Sequence, residues 1–72
     1  MTEFEKLKLG ELMGAETVEV RLRGTDMYGV ATVFTSSLAA VYYGADDGSD
    51  DSVIGAEEFN KKWQITSIFI EQ

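Results

Sequence analysis

Strict alternation of apolar and polar residues predicts the first strand of this chain. In TVEVRLRG, residues 17–24, the apolar residues Val18, Val20 and Leu22 alternate with charged ones. Such alternation is typical of a strand that is buried on one face. After a Gly-Thr-Asp turn, MYGVATVF predicts a second strand, in which Gly29 indicates a bulge or a sharp bend. The two segments therefore predict an antiparallel hairpin.

The start of the chain, TEFEKLKLGELMG, predicts a short helix. Thr2 and Glu5 have the spacing of a capping box, and Gly14 lies where the helix would end. Alternation of Leu7 and Leu9 also fits a strand, so the pattern alone leaves both interpretations open.

The second half of the chain contains three further segments. SSLAAVYYG, residues 36–44, fits a helix through its alanines or a strand through Val-Tyr-Tyr, and we prefer the strand. AEEFNKKW, residues 56–63, predicts a short helix. QITSIFIEQ, residues 64–72, alternates with apolar residues on both sides, which favours a central strand.

These segments predict an α+β fold in one small domain over residues 1–72. We expect a short N-terminal helix, a bent antiparallel sheet of three or four strands, and a short helix before the last strand. Hydrophobic residues make up 44% of the 72 residues, a fraction that predicts a packed core rather than a disordered chain.

Residues 18–34 resemble the first two long strands of Sm-like small barrels. The resemblance is carried by the V-x-V-x-L strand, by Gly24 and Gly29 at a spacing of five, and by a helix ahead of the strand. It implies a strongly bent, small-barrel-like sheet. The RNA-contacting motifs of that family are missing, because no acidic–asparagine pair follows Phe34 and no Arg-Gly step precedes the last strand. RNA binding is therefore not implied.

The composition removes several classes of chemistry. The chain has no histidine and no cysteine, so the usual zinc ligands and the Ser-His and Cys-His nucleophile pairs are missing. A chain of 72 residues also leaves little room for a ligand pocket of about 300 Å³ or more. We therefore expect a protein that is not an enzyme and needs no cofactor.

The same composition predicts a cytoplasmic location. The lack of cysteine fits a reducing compartment. Neither a basic-then-apolar signal sequence nor a long apolar run is visible, so we expect no membrane span.

The net charge of −7 is concentrated in the middle of the chain. No lysine or arginine lies between Arg23 and Lys61, whereas the two ends of the chain are almost neutral. Direct nucleic-acid binding requires clustered Lys and Arg and is not expected, so a basic protein surface is the favoured partner. The candidate partner-binding residues are Asp46, Asp47, Asp50, Asp51, Glu57 and Glu58.

These features predict a non-catalytic protein-interaction module that acts through its acidic residues. Small acidic proteins encoded by phages and mobile elements are similar in style, and some of them inhibit host enzymes by imitating the phosphates of nucleic acid. The resemblance implies an inhibitor that binds a basic, nucleic-acid-binding surface. A second hypothesis is an oligomerising structural protein, such as a phage particle component, built from edge strands.

A third hypothesis is calcium binding, because residues 47–58 resemble the calcium loop of the EF-hand family. That loop has oxygen ligands at alternate early positions and a closing bidentate glutamate. Ser52 stands where the family has its mid-loop glycine, and a homodimer would have to supply the second loop of a pair. The resemblance implies as metal ligands Asp47, Ser49, Asp51, Val53 through its carbonyl oxygen, and Glu58.

A solvated acidic loop between a strand and a helix explains the same stretch without any ligand. Asp, Gly and Ser are turn formers, and Asp51 or Ser52 would then cap the helix that follows.

Large aromatic residues lie in the core of a small domain more often than on a binding surface, so we expect core positions for them. This expectation covers Tyr42, Tyr43, Trp63 and Phe69, whereas Tyr28 beside Gly29 is expected to be exposed on a bend.

Overall fold

The described part of the chain contains two helices and five strands. The computed structural model describes residues 1–44 and 50–70. The elements are α1 (Glu3–Leu12), β1 (Ala15–Leu22), β2 (Tyr28–Thr35), β3 (Leu38–Tyr43), β4 (Asp50–Gly55), α2 (Ala56–Lys62) and β5 (Trp63–Ile70). The predicted α+β class is confirmed, with a helix at the N-terminus and a short helix directly before the last strand.

All five strands form one antiparallel sheet in the order β4-β3-β2-β1-β5. Strands β1 to β4 are joined as consecutive hairpins, and β5 returns to the far side of β1. The sheet is open, with β4 and β5 as its two edges. The resemblance of residues 18–34 to Sm-like barrels stays a prediction; these residues form most of the β1–β2 hairpin.

The described residues form five strands, where the sequence predicted three or four. Residues 50–55, which the acidic-loop interpretation left without regular structure, form β4 and pair with β3. Val53 and Ile54 lie opposite Ala40 and Ala39. β-branched residues fit this half-buried position well, and their contribution outweighs the turn-forming tendency of the aspartates before them.

The core lies between one face of the sheet and the two helices. Its largest fully buried side chains are Leu7 from α1, Val20, Val41 and Phe59 from α2. Two aromatic pairs extend it: the Phe4 and Phe59 rings meet edge to face at 6.2 Å, and the Tyr43 and Trp63 rings lie 5.4 Å apart.

The helical interpretation of the N-terminal segment is confirmed, and its capping box is formed. The Thr2 hydroxyl accepts a hydrogen bond from the Glu5 amide, and the Glu5 carboxylate accepts one from the Thr2 amide. Gly10 lies inside the helix. It lies where α1 crosses the sheet, and a Cβ there would be 3.4 Å from the Ile68 side chain.

Neither helix found in residues 1–44 and 50–70 has the length and apolar character that a membrane-spanning helix needs.

Two finer predictions about the C-terminal half are wrong. Strand β5 is an edge strand rather than a central one, and the apolar side chains that suggested burial on both faces remain 40–54% exposed at Ile68, Phe69 and Ile70. Helix α2 begins after Gly55 with no side-chain cap, because Asp51 and Ser52 belong to β4.

Candidate protein-interaction face

A row of side chains crosses the outer face of the sheet on β2, β3 and β4. Val30 lies opposite Tyr42, and Tyr42 lies opposite Asp51. Directly opposed residues of antiparallel strands share one face. The neighbours of Tyr42 on β3 are the fully buried Val41 and the half-buried Tyr43, so alternation directs Tyr42 away from the core.

Two more side chains extend this row on the same side of the sheet. Tyr28 is two residues from Val30 along β2, and Val53 is two residues from Asp51 along β4. Tyr28, Tyr42 and Val53 are 49%, 46% and 52% exposed. We call this surface the tyrosine–acid face, defined by Tyr28, Val30, Tyr42, Asp51 and Val53.

The composition of the tyrosine–acid face is that of a binding surface. Tyrosines are enriched in protein–protein interfaces, because they offer a large apolar area and a hydroxyl together. A contiguous group of exposed aromatic and aliphatic side chains indicates an interaction site, whereas single scattered ones are normal on a protein surface. Next to Tyr28, the turn residues Asp26 and Met27 line a depression together with Gly44, which continues the surface toward the end of β3.

Strand β4 separates the acidic residues that the sequence grouped together. Asp51 is exposed on the tyrosine–acid face. Ser52 and Ile54, which alternate with it, line a depression on the opposite side of the strand together with Glu58. Glu58 is paired there with Lys62 at 2.9 Å. Asp51 and Glu58 therefore do not act on one ligand from one side.

The remaining predicted partner-binding residues are placed as follows. Asp50 begins β4 opposite Tyr43. Glu57 is exposed in the first turn of α2, where a negative charge favours the helix. Asp46 and Asp47 lie outside the described residues.

The described ligands of the calcium hypothesis do not converge. Residues 50–55 form an extended strand, which advances about 3.3 Å per residue instead of wrapping around one point. Asp51 and Val53 lie on one side of it and Glu58 on the other. Within residues 1–44 and 50–70 no group of three or more Asp or Glu residues is placed to hold a metal ion. Asp47 and Ser49 fall outside the described residues, so calcium binding stays a prediction.

Three of the basic side chains have partners other than Asp51. Arg21 donates to the Gln64 side chain at 3.0 Å, and Arg23 donates to the Asn60 carbonyl oxygen at 3.3 Å. Lys6 pairs with Glu3 at 3.0 Å. Ion pairs among the described residues join Lys6 and Arg23 to Glu3, and Lys62 to Glu58. The Asp51 carboxylate is therefore not neutralised by any described lysine or arginine.

The aromatic residues divide between the core and the surface. Trp63 is buried and Tyr43 packs against it, as the sequence predicted. The same expectation was wrong for Tyr42 and Phe69, which are 46% and 54% exposed. Exposure of Tyr28 is confirmed. Residues 38–43, LAAVYY, are apolar or aromatic throughout, so no alternation of residue type marked Tyr42 as exposed.

Comparisons of this chain with models of protein families, with curated proteins and with solved structures find no match.

Proposed function

We propose that this protein is a non-catalytic interaction module whose tyrosine–acid face binds a basic, nucleic-acid-binding surface of a partner protein. Occupation of that surface would make the module an inhibitor of nucleic-acid binding. The observation that carries the proposal is the exposed Tyr42–Asp51 pair, in which an uncompensated carboxylate lies directly opposite a large aromatic side chain.

The carboxylates and the apolar side chains contribute to binding in different ways. The carboxylates of the middle segment create a negative field that steers a basic surface toward the face and orients it. Tyr28, Tyr42 and Val53 then supply the apolar contact area that slows dissociation. Among the described residues no lysine or arginine forms an ion pair with Asp51, and Arg21, which lies opposite Tyr28 at the border of the face, is hydrogen-bonded to Gln64.

A titration with a defined cationic probe tests the face directly. An oligo-lysine peptide added to the ¹⁵N-labelled chain is expected to shift the amide signals of Tyr42, Asp51 and Val53, with binding that weakens as salt rises. Tyr42→Ala should weaken binding at least about fivefold, which corresponds to roughly 1 kcal/mol. Leu12→Ala is the matched control, because Leu12 is 86% exposed on α1 and should not change the affinity.

The inhibitory part of the proposal needs a protein partner. Proteins captured by the immobilised chain from a nuclease-treated lysate should be released by added duplex DNA, and Asp51→Asn should reduce their capture. Capture that is insensitive to both DNA and salt would contradict the proposal, and so would signal shifts confined to α1.

A further inference from the structure

The free edge of β5 lacks the features that usually protect an edge strand. In an antiparallel edge strand, alternate residues direct their N–H and C=O groups away from the sheet, ready to pair with another strand. Charged side chains and prolines normally prevent this pairing. Strand β5, of sequence WQITSIFI, contains neither, whereas the opposite edge, β4, carries Asp50 and Asp51.

One end of this edge is already occupied by a side chain of the same domain. The Glu3 carboxylate accepts a hydrogen bond from the Ile65 amide at 3.2 Å. Beyond Ile65, no side chain of the described residues accepts a hydrogen bond from the amides of residues 66–70. We call residues 66–70 the β5 free edge.

Apolar side chains surround the β5 free edge. Ile68, Phe69 and Ile70 are 40–54% exposed. On the α1 side, Ile68 and Ile70 line an apolar depression of about 200 Å³ together with Leu9 and Met13, which are themselves 44% and 60% exposed. A strand added to this edge would thus also cover apolar surface on α1.

We propose that the β5 free edge pairs antiparallel with the same edge of a second copy of this chain, and so forms a homodimer with one continuous ten-stranded sheet. A two-fold axis through Ile68 places that residue opposite its own copy and Phe69 opposite the partner's Ser67. The segment is self-complementary in this register, because it carries no charge that would face itself. A two-fold contact also uses the same edge of both copies, so assembly through this edge ends at the dimer.

The distribution of charge favours pairing of β5 with β5 of a second copy over pairing of β5 with β4 of a second copy. Two copies of net charge −7 repel each other, so a stable contact must leave their carboxylates in water. Pairing through β5 leaves Asp51 and the whole tyrosine–acid face exposed in both copies. Pairing of β4 with β5 would instead bring the exposed Asp51 beside an uncharged strand and partly desolvate it, at a cost in free energy.

Sedimentation velocity of the full chain over a range of concentrations tests the proposal. The expected result is a reversible shift from 8.0 kDa to twice that mass. Dimerisation should strengthen as salt rises, because salt screens the repulsion between the two acidic copies. This salt dependence is opposite to that expected for the tyrosine–acid face, so the two proposals fail independently.

Phe69→Lys places a protective charge on the edge and should weaken dimerisation at least about tenfold. Phe34→Lys is the matched control, because Phe34 is 62% exposed on the central strand β2 and should leave the dimer unchanged. Circular dichroism checks that both variants are folded. In the unmodified chain, exchange of the Ile68 and Ile70 amides should slow as concentration rises, a measurement that does not depend on a variant.

Three results would overturn the proposal. These are a monomer at every concentration, a dimer that Phe69→Lys leaves intact, and an assembly larger than two copies in which the amides of β4 become protected.

Discussion

The backbone of β3 approaches Gly29 so closely that no space is left for a side chain. A Cβ built at this position would lie 2.6 Å from the Tyr42 carbonyl oxygen and 2.9 Å from the Tyr43 Cβ. The sequence correctly marked Gly29 as unusual within a strand, but the reason is the close approach of β3. The register between β2 and β3 is regular there, and the irregularity lies between Val33 and Thr35.

Replacement of Gly29 by alanine should therefore destabilise the domain. The added methyl group meets backbone atoms of β3, which move only if the strand pair moves, so we expect a loss of about 1–3 kcal/mol in the free energy of unfolding. Gly55→Ser is the control, and it should change the free energy of unfolding in the opposite direction. Gly55 is the N-cap of α2 with open space around its Cα, and serine there should stabilise the helix by about a few tenths of a kcal/mol. Urea unfolding of the three proteins measures both effects, and an unchanged midpoint for Gly29→Ala would contradict the first.

The aromatic residues show how far residue type alone decides burial. Trp63 and Phe59 are buried, as their size and apolar character predict. Tyr42 has a similar character and is exposed, because the fully buried Val41 beside it fixes which side of β3 faces the core. The position of a residue in the alternation outweighs its chemical type.

Among the secondary-structure elements, helix α1 begins directly after Thr2, the N-cap residue of its capping box. Hydrogen bonds from the Thr2 hydroxyl and the Thr2 amide to the Glu5 carboxylate lower the pKa of that carboxyl below its ordinary value. A carboxyl whose pKa is lowered by folding stabilises the fold while it is ionised, so its contribution is present above the ordinary pKa. The contribution is lost as the pH falls through the lowered pKa.

Thr2→Ala should accordingly cost more at neutral pH than in acid. We expect a loss of about 1 kcal/mol at pH 7 from removal of the cap. In acid the difference from the unmodified chain should become smaller, because Glu5 is then protonated in both proteins. Glu5→Gln is the matched control, since glutamine keeps an acceptor at the same position without titrating. Thermal unfolding across this pH range measures the effect, and a difference that grows toward acid would contradict the assignment.

Strands β4 and β5 are the elements that the sequence described least well. Residues 50–55 begin with two aspartates and a serine, which are poor strand formers, and they become a strand because β3 offers a partner for Val53 and Ile54. The apolar residues of β5 suggested a central position, but the fold places the strand at an edge. In both cases the state of the segment depends on the strand that pairs with it, which is the preceding strand β3 for β4 and the distant strand β1 for β5.

For the molecule as a whole, the location of the negative charge was predictable and its division between faces was not. The gap in basic residues between Arg23 and Lys61 is a property of the sequence. That Asp51 and Glu58 lie on opposite sides of β4 follows only from the pairing of that strand.

The calcium hypothesis requires a change in the fold, because its described ligands Asp51, Val53 and Glu58 lie on two sides of β4 and would have to be drawn together. Calcium added to the ¹⁵N-labelled chain should then shift the amide signals of residues 47–58 and disturb the pairing of β4 with β3. Magnesium at the same concentration is the control for non-specific screening. A spectrum that does not change at millimolar calcium rejects the hypothesis.

The sequence by itself determined the features that arise within a few residues of one another: the β1–β2 hairpin, the capped first helix, the short second helix and the concentration of acids in the middle segment. Periodicity and capping operate over such distances, and so they can be recognised in a linear pattern. The tertiary structure alone decided the strand order, the conversion of an acidic segment into β4, the exposure of Tyr42 and the unprotected edge of β5. These features depend on which strand each segment pairs with and on which of its faces lies against the core, and both are decided by burial of the whole core rather than by any local pattern.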